Sequence, residues 1–121
     1  MSDLVDEEIF NQLLEMEDDD TRNFTKGLIH DFFDQADESI IKFNILLDQH
    51  KVIEAGKLGH YLKGSSAMIG VIKVRDICEC IQLWQQKVGT TDEAVDYIRD
   101  QVKNLQIEVE RAKPELYSRV E

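Results

Sequence analysis

Proline is nearly missing from this 121-residue chain: Pro114 is the only one. Scarcely any stretch alternates apolar and polar residues with the period of two that marks a half-buried strand. A β-protein is therefore excluded. No run approaches the ~20 apolar residues of a membrane-spanning helix. The acidic opening MSDLVDEE lacks the basic and apolar regions of a secretory signal. A soluble protein of the cytoplasm is expected, at 14.0 kDa small enough for passive entry into a nucleus. Positive charge is scarce as well. Lys and Arg number 14 against 25 Asp and Glu, a formal net charge of −11. Nucleic-acid binding rests on clustered basic side chains, so that class is excluded, and an anionic membrane surface is disfavoured for the same reason. Cysteine is limited to Cys78 and Cys80. Zinc sites usually draw four Cys and His ligands from recognisable pairs. With no second pair, the expectation is two reduced, half-buried thiols and no metal.

What is present is helical periodicity. Hydrophobic residues make up 42% of the chain, enough for a core without disulfides. Five helical segments are predicted. The first covers about 6–16, with Ile9, Leu13 and Met16 in a stripe beside Phe10 and Leu14. An acidic run, EDDD at 17–20, follows. The second covers about 21–49, with Asp20 or Thr21 as its cap. Its inner stripe is Phe24, Leu28, Phe32, Ala36, Ile40, Phe43 and Leu47. His30 stands among these apolar residues and is expected to be partly buried. His50 falls at the helix end, where a cation meets the dipole favourably. The third segment, about 51–70, turns Ala55, Leu58, Leu62, Ser65 and Ile69 inward. The fourth, about 73–89, does the same with Val74, Ile77, Ile81, Trp84 and Val88, and Gly89 stops it. The fifth, about 91–118, carries Val95, Ile98, Val102, Leu105, Val109, Ala112 and Leu116 in strict alternation of three and four. Pro114 is a place for that helix to kink or restart.

Long amphipathic helices with short links predict an all-α fold: an antiparallel four-helix bundle with an additional short N-terminal helix, one domain over 1–121. The last stripe is heptad-like, so a coiled-coil dimer is the alternative use for it. A monomer follows if the other helices of the same chain take that stripe up.

One stretch stands apart, GHYLKGSSAMIG at 59–70. Its apolar spacing is helical, yet it holds three glycines and two adjacent serines. A helix turns about 100° per residue, so Leu58 and Leu62 point nearly opposite to His60. With the leucines inward, His60 faces water. Gly56 and Gly64 lie one turn to either side of it, and Lys63 and Ala67 share its face. Each internal glycine costs roughly 1 kcal/mol against alanine, so Gly56, Gly59 and Gly64 together forfeit about 3 kcal/mol of a typical stability of ~5–15 kcal/mol. A bare, approachable imidazole is one return for that loss. Close packing by small residues is the other reading, and it suits Ser65, Ser66 and Gly59 better than Gly64. No carboxylate or hydroxyl sits one turn away on the same face to complete a catalytic triad, and no second histidine pairs for a metal. A nucleophilic imidazole beside a lysine suits an arriving anion, and phosphoryl transfer needs positioning and charge neutralisation above all. Without strands there is no strand-borne glycine loop for a nucleotide, so the phosphoryl group would come from another protein.

The stretch 59–67 with Ile69-Gly70 resembles the signature of histidine-containing phosphotransfer (HPt) domains, and most closely that of the fungal intermediates of the osmosensing phosphorelay. The likeness extends to residues 13–20, 26–29, 34–36 and 78–82, and covers roughly residues 9–90. It implies that His60 is the phosphorylated residue, through Nε2. It also implies that Lys63 steadies the phosphoryl oxygens, that Gly64 leaves room for a partner's active site, and that Gln82 hydrogen-bonds the ring from the next helix. The likeness breaks at Gln86, where fungal members carry a basic residue. The implied partners are receiver domains of a hybrid sensor kinase and of response regulators. Their phosphoaspartate and Mg²⁺ would supply most of the catalysis, leaving this chain a carrier without autokinase activity and without a cofactor of its own. An apolar docking surface around the histidine is implied too, with Leu13, Met16, Leu28 and Tyr61 as candidates alongside Gly56, Gly64 and Ala67 on the histidine's face. Ordinary core positions are the alternative for the apolar four. The acidic run Glu17 to Asp20 is a candidate to meet basic residues on a receiver, with a solvated loop that caps a helix as its alternative. A non-catalytic helical-bundle interaction module remains the competing function. The joint placement of His60, Lys63, Gly64 and Gln82 separates the two.

Overall fold

A computed structural model describes residues 4–17 and 23–120. Five α-helices follow one another: α1 Glu7–Glu15, α2 Asn23–Asp48, α3 Val52–Ile69, α4 Ile72–Gln82 and α5 Thr91–Ser118, with a short 3₁₀ turn at Trp84–Gln86 after α4. Among the described residues the one β-type pairing is an isolated bridge between Val5 and Val71. None of these helices is long and apolar enough to cross a membrane.

The helix ends follow from local chemistry. Asp6 caps α1 by accepting the Ile9 N–H at 3.3 Å. Thr90 caps α5: its hydroxyl accepts the Glu93 N–H at 3.2 Å and donates to the Glu93 carboxylate at 2.9 Å, so one free N–H of the first turn is satisfied and the capping side chain is itself held. The expected caps of α2, Asp20 and Thr21, lie outside the described residues, but Glu17 accepts the Thr25 N–H at 3.0 Å. At its other end α2 closes on His50, which takes a left-handed φ of 57° while the Lys51 N–H reaches back to the Leu46 carbonyl at 2.9 Å. Gly70 closes α3 in the same way at φ 78°, with Val71 N–H bonded to the Ser66 carbonyl at 3.0 Å. Such a closure satisfies carbonyls that the last turn leaves free.

Helices α2, α3, α4 and α5 pack in ring order, each against the next and α5 against α2. Their directions alternate. Asp48 at the end of α2 meets Arg99 near the start of α5 at 2.6 Å, and Asp37 meets Lys113 at 3.2 Å. Exposed pairs of this kind add little stability; apolar burial holds the bundle. Phe43, Leu47, Leu62, Ile81, Ile98, Leu105 and Leu116 are all fully buried. The α5 stripe is buried throughout, so the bundle itself consumes the surface that a coiled-coil dimer would need. Helix α1 straps one end of the bundle. The Asp6 N–H bonds the Gly70 carbonyl at 2.7 Å, Glu7 pairs with Arg119 at 2.6 Å, and the Arg119 guanidinium lies 5.7 Å from the Phe10 ring centroid.

Several expectations need correction. Helix α4 stops at Gln82, well short of 89, because the chain tightens there: Gln86 N–H bonds the Leu83 carbonyl and Lys87 N–H the Trp84 carbonyl, both at 3.0 Å. Trp84 and Val88 are half-buried. On α2 the inward stripe runs through Thr25 and Ile29, one position on from Phe24 and Leu28, so Phe24 is 52% exposed and Leu28 half-buried. His30 is exposed, its Nε2 3.3 Å from Asp34. Leu58 and Ser65 are only half-buried, and Ser66 takes the interior place. Helix α5 continues through Pro114 without a restart. Cys80 is half-buried as expected, but Cys78 is fully buried, which pushes its thiol up to about 12.

A Cβ at Gly70 would meet the Asp6 carbonyl oxygen at 3.0 Å in a left-handed backbone. Gly70→Ala is expected to lower the unfolding free energy by about 1–2 kcal/mol, read from the urea midpoint. An unchanged midpoint would contradict this account of the α3–α4 corner.

Candidate functional site

The site grows out of how α3 meets α4. A Cβ on Gly59 would lie 2.9 Å from Ile81 Cγ2 and 3.1 Å from the Cys78 carbonyl oxygen. Only a glycine lets the two helices come this close. The next residue on α3 is His60, and the next on α4 is Gln82. His60 is exposed and lines a cavity of about 310 Å³ with Gly56, Lys57, Gln82, Trp84 and Gln85. The Gln82 carbonyl oxygen, Oε1, is buried and has no hydrogen-bond partner. An unmatched buried acceptor is costly, so this oxygen stands ready for an N–H donor. No hydrogen bond joins it to the imidazole in this structure. Trp84 and Gln85 entered no expectation as site residues; the 3₁₀ turn that carries them leaves no mark in helical periodicity.

The glycines divide by role. Around Gly64 nothing lies within 4 Å of a built Cβ, so that side of His60 is open. Gly56 is different and corrects its assignment to a bare partner-binding surface. It is buried, and a Cβ there would meet Trp84 Nε1 at 3.3 Å and Cδ1 at 3.4 Å. It makes room for an indole, and the indole walls one side of the histidine. Lys63 is half-buried and makes no ion pair among the described residues. Ser66 is buried and donates to the Leu62 and Lys63 carbonyls, in each case at 2.9 Å. Ser65 accepts from Gln35 of α2 at 3.1 Å. Ser65 thus ties α3 to α2, while Ser66 sits in the core with its hydroxyl satisfied within α3.

The remaining candidates fall into separate groups. Leu13 and Leu28 share a cavity of about 170 Å³ with Gln35, Ser65 and Met68, between α1, α2 and α3. Met16 at 64% exposure stands clear of the core, and so do Phe24 and, at 71%, Met68. Neither Phe24 nor Met68 was expected at this surface. Helical phase puts Met68 within about 80° of His60, a signal already in the sequence. Tyr61, 61% exposed, lines a different groove with Lys42, Leu46 and Leu58. Ala67 is half-buried. Of the acidic run, Glu17 is the α2 capping residue described above, and positions 18–20 lie outside the described residues. His50 sits 3.8 Å from Asp92, away from His60. Among the described residues, no group of three or more His, Cys, Asp or Glu side chains could hold a metal.

A family model for the Hpt domain matches residues 27–109. The chain belongs to the Hpt family. The match takes in His60, Lys63, Gly64 and Gln82, and stops short of α1 and the last turns of α5. Among curated relatives, Multistep phosphorelay regulator 1 of Schizosaccharomyces pombe is 43% identical over 79 residues, 65% of this chain and 27% of that protein. Phosphorelay intermediate protein YPD1 of Saccharomyces cerevisiae is 42% identical over 82 residues, 67% of this chain and 48% of that protein. The chain thus matches at most about half the length of these relatives. The fold is similar to that of Ypd1 in its co-crystal with the receiver domain of the response regulator Ssk1, with a TM-score of 0.85 and 28% identity over 98% of this chain and 95% of that one.

Two substitutions test the division among the Hpt helix glycines. Gly64→Ala is expected to raise stability by about 1 kcal/mol, the helix-propensity gain at an open position. Gly59→Ala is expected to lower it, because overpacking of about 1–3 kcal/mol outweighs that gain. Equal shifts of the urea midpoint in the two variants would contradict the assignment.

Proposed function

We propose that this chain is the histidine phosphotransfer protein of a multistep phosphorelay. It takes a phosphoryl group onto His60 from the phosphoaspartate of a hybrid sensor kinase's receiver domain, and passes it to receiver domains of response regulators. The observation that carries this reading is the exposed imidazole of His60, inside the segment that matches the Hpt family, beside a Gly64 with open space above it.

The chemistry uses few groups of this chain. The Nε2 lone pair of neutral His60 attacks phosphorus. The bond from phosphorus to the aspartyl oxygen breaks, and its electron pair stays on the partner's carboxylate. The ring keeps its Nδ1 proton, and Gln82 Oε1 is the acceptor positioned to hold it. That bond would fix the tautomer and leave Nε2 free to react. Lys63, one turn along, meets the phosphoryl oxygens as charge gathers on them. Gly64 leaves clearance for the receiver's active-site loops, whose Mg²⁺ does the rest; this chain needs no metal or nucleotide and has no autokinase activity. Leu13, Leu28, Met16, Phe24 and Met68 form the apolar surface on which the receiver seats. The chain acts as a monomer in the cytoplasm, with passage into the nucleus.

Incubation with a phosphorylated receiver domain is expected to leave acid-labile, base-stable label on the native chain and none on His60→Gln. Label persisting on that variant would sink the carrier reading. Gly64→Gln is expected to block transfer sterically while leaving the fold intact. Lys63→Ala is expected to slow transfer by about ten- to a hundredfold, below the roughly hundred- to thousandfold of a lost buried donor because Lys63 is only half-buried, with docking retained. Lost docking with unchanged chemistry would make Lys63 a contact residue instead.

A further inference from the structure

We infer that Lys57 and the indole N–H of Trp84 are further positioning groups for the phosphoryl group, and that the cavity beside His60 is its seat. The inference rests on the carrier reading and adds to it where the group lies and what holds it. Helical side chains lean toward the N-terminus of their helix, so the His60 ring overhangs the preceding turn, which carries Gly56 and Lys57. Residues three apart on a helix have Cβ atoms about 5–6 Å apart, well within the reach of a lysine. The cavity has no carboxylate in its lining, although the chain as a whole carries a formal charge of −11. Its polar groups are the Lys57 ammonium, the Trp84 N–H, the amides of Gln82 and Gln85, and His60 itself. Among the described residues Lys57 has neither an ion pair nor a hydrogen bond, not even with Glu54 one turn earlier, and the Trp84 N–H is likewise unpartnered. A cation and a neutral donor left free beside a nucleophile form an anion seat. The backbone of Gly56 underlies it, since Trp84 Nε1 sits 3.3 Å from where a Cβ would be. Lys63, on the opposite turn, lies outside this lining. Between them the two lysines flank His60 at three residues before and three after.

Phosphoramidate as donor tests this without any partner protein. Its P–N bond breaks, ammonia leaves after taking a proton from solvent, and the phosphorus bonds to His60 Nε2. Trp84 is the only tryptophan, so its indole N–H gives a single peak in a ¹H–¹⁵N spectrum. On phosphorylation of the full chain that peak is expected to shift. Lys57→Gln is expected to be labelled about two- to fivefold more slowly, as the loss of one partly solvated charge contact predicts. Lys57→Arg is expected to recover the native rate, and the distant Lys103→Gln to keep it. A labelled His60 with an unmoved indole peak and an unchanged rate in Lys57→Gln would overturn the seat and leave the carrier reading standing. A chain that takes no label on His60 would overturn both.

Discussion

The approach of α3 to α4 at Gly59 governs everything built around His60. A side chain at that position would collide with Ile81 and with the backbone of Cys78. Its absence brings α4 close enough for Gln82 to stand beside the histidine, and lets the turn after α4 fold Trp84 down onto Gly56. A single missing methyl group therefore sets the width of the cavity, the place of the buried Gln82 carbonyl and the wall on one side of the ring. The rest of the bundle keeps that contact in register. Gly70 reverses the chain between the two helices, and the α1 strap, tied through Asp6 to Gly70 and through Glu7 to Arg119, closes the same end.

Helix α3 is thus asked to do two unlike things. Its inner face, with Val52, Ala55, Leu62, Ser66 and Ile69, is as buried as any in the molecule. Its outer face carries His60 and Tyr61 in the open, with lysines before and after the histidine. Helix propensity is spent on both faces, at Gly59 for contact and at Gly64 for clearance. The electrostatics follow the same division. In a strongly acidic chain the surroundings of His60 hold unpaired cations and amides, and the carboxylates that make ion pairs do so elsewhere, chiefly along α2 and α5. A transferring phosphoryl group would meet positive charge only where it has to.

Much of this was legible beforehand. The all-α class, the bundle with its short first helix, and the inner stripe of α5 follow from apolar spacing, because that helix packs with an unbroken period of 3.6. The outward face of His60 follows from the phase of Leu58 and Leu62 alone. What spacing could not reveal depends on the neighbouring element. Gly56 and Gly64 are equivalent in phase relative to His60, and only the fold of the turn after Gln82 makes one a floor for Trp84 and the other open space. Trp84 looked like one more member of the Ile77–Ile81 stripe because nothing in QLWQQK announces a change from α to 3₁₀ geometry. On α2, Phe24 and Thr25 are adjacent, and hydrophobicity favours the wrong one. Thr25 falls in phase with the buried Ile29 and faces inward, while Phe24 is left on the surface.

The central claim is that the face of α3 holding His60, with the adjoining ends of α1 and α2, is where a receiver domain seats. A ¹H–¹⁵N titration of the chain with an unphosphorylated receiver domain measures this directly. Shifts are predicted to gather at Leu13, Leu28, Lys63, Gly64 and Met68 and to spare the exposed positions of α5 such as Lys103 and Ile107. Shifts concentrated on α5, with Gly64 and Met68 unmoved, would contradict the account.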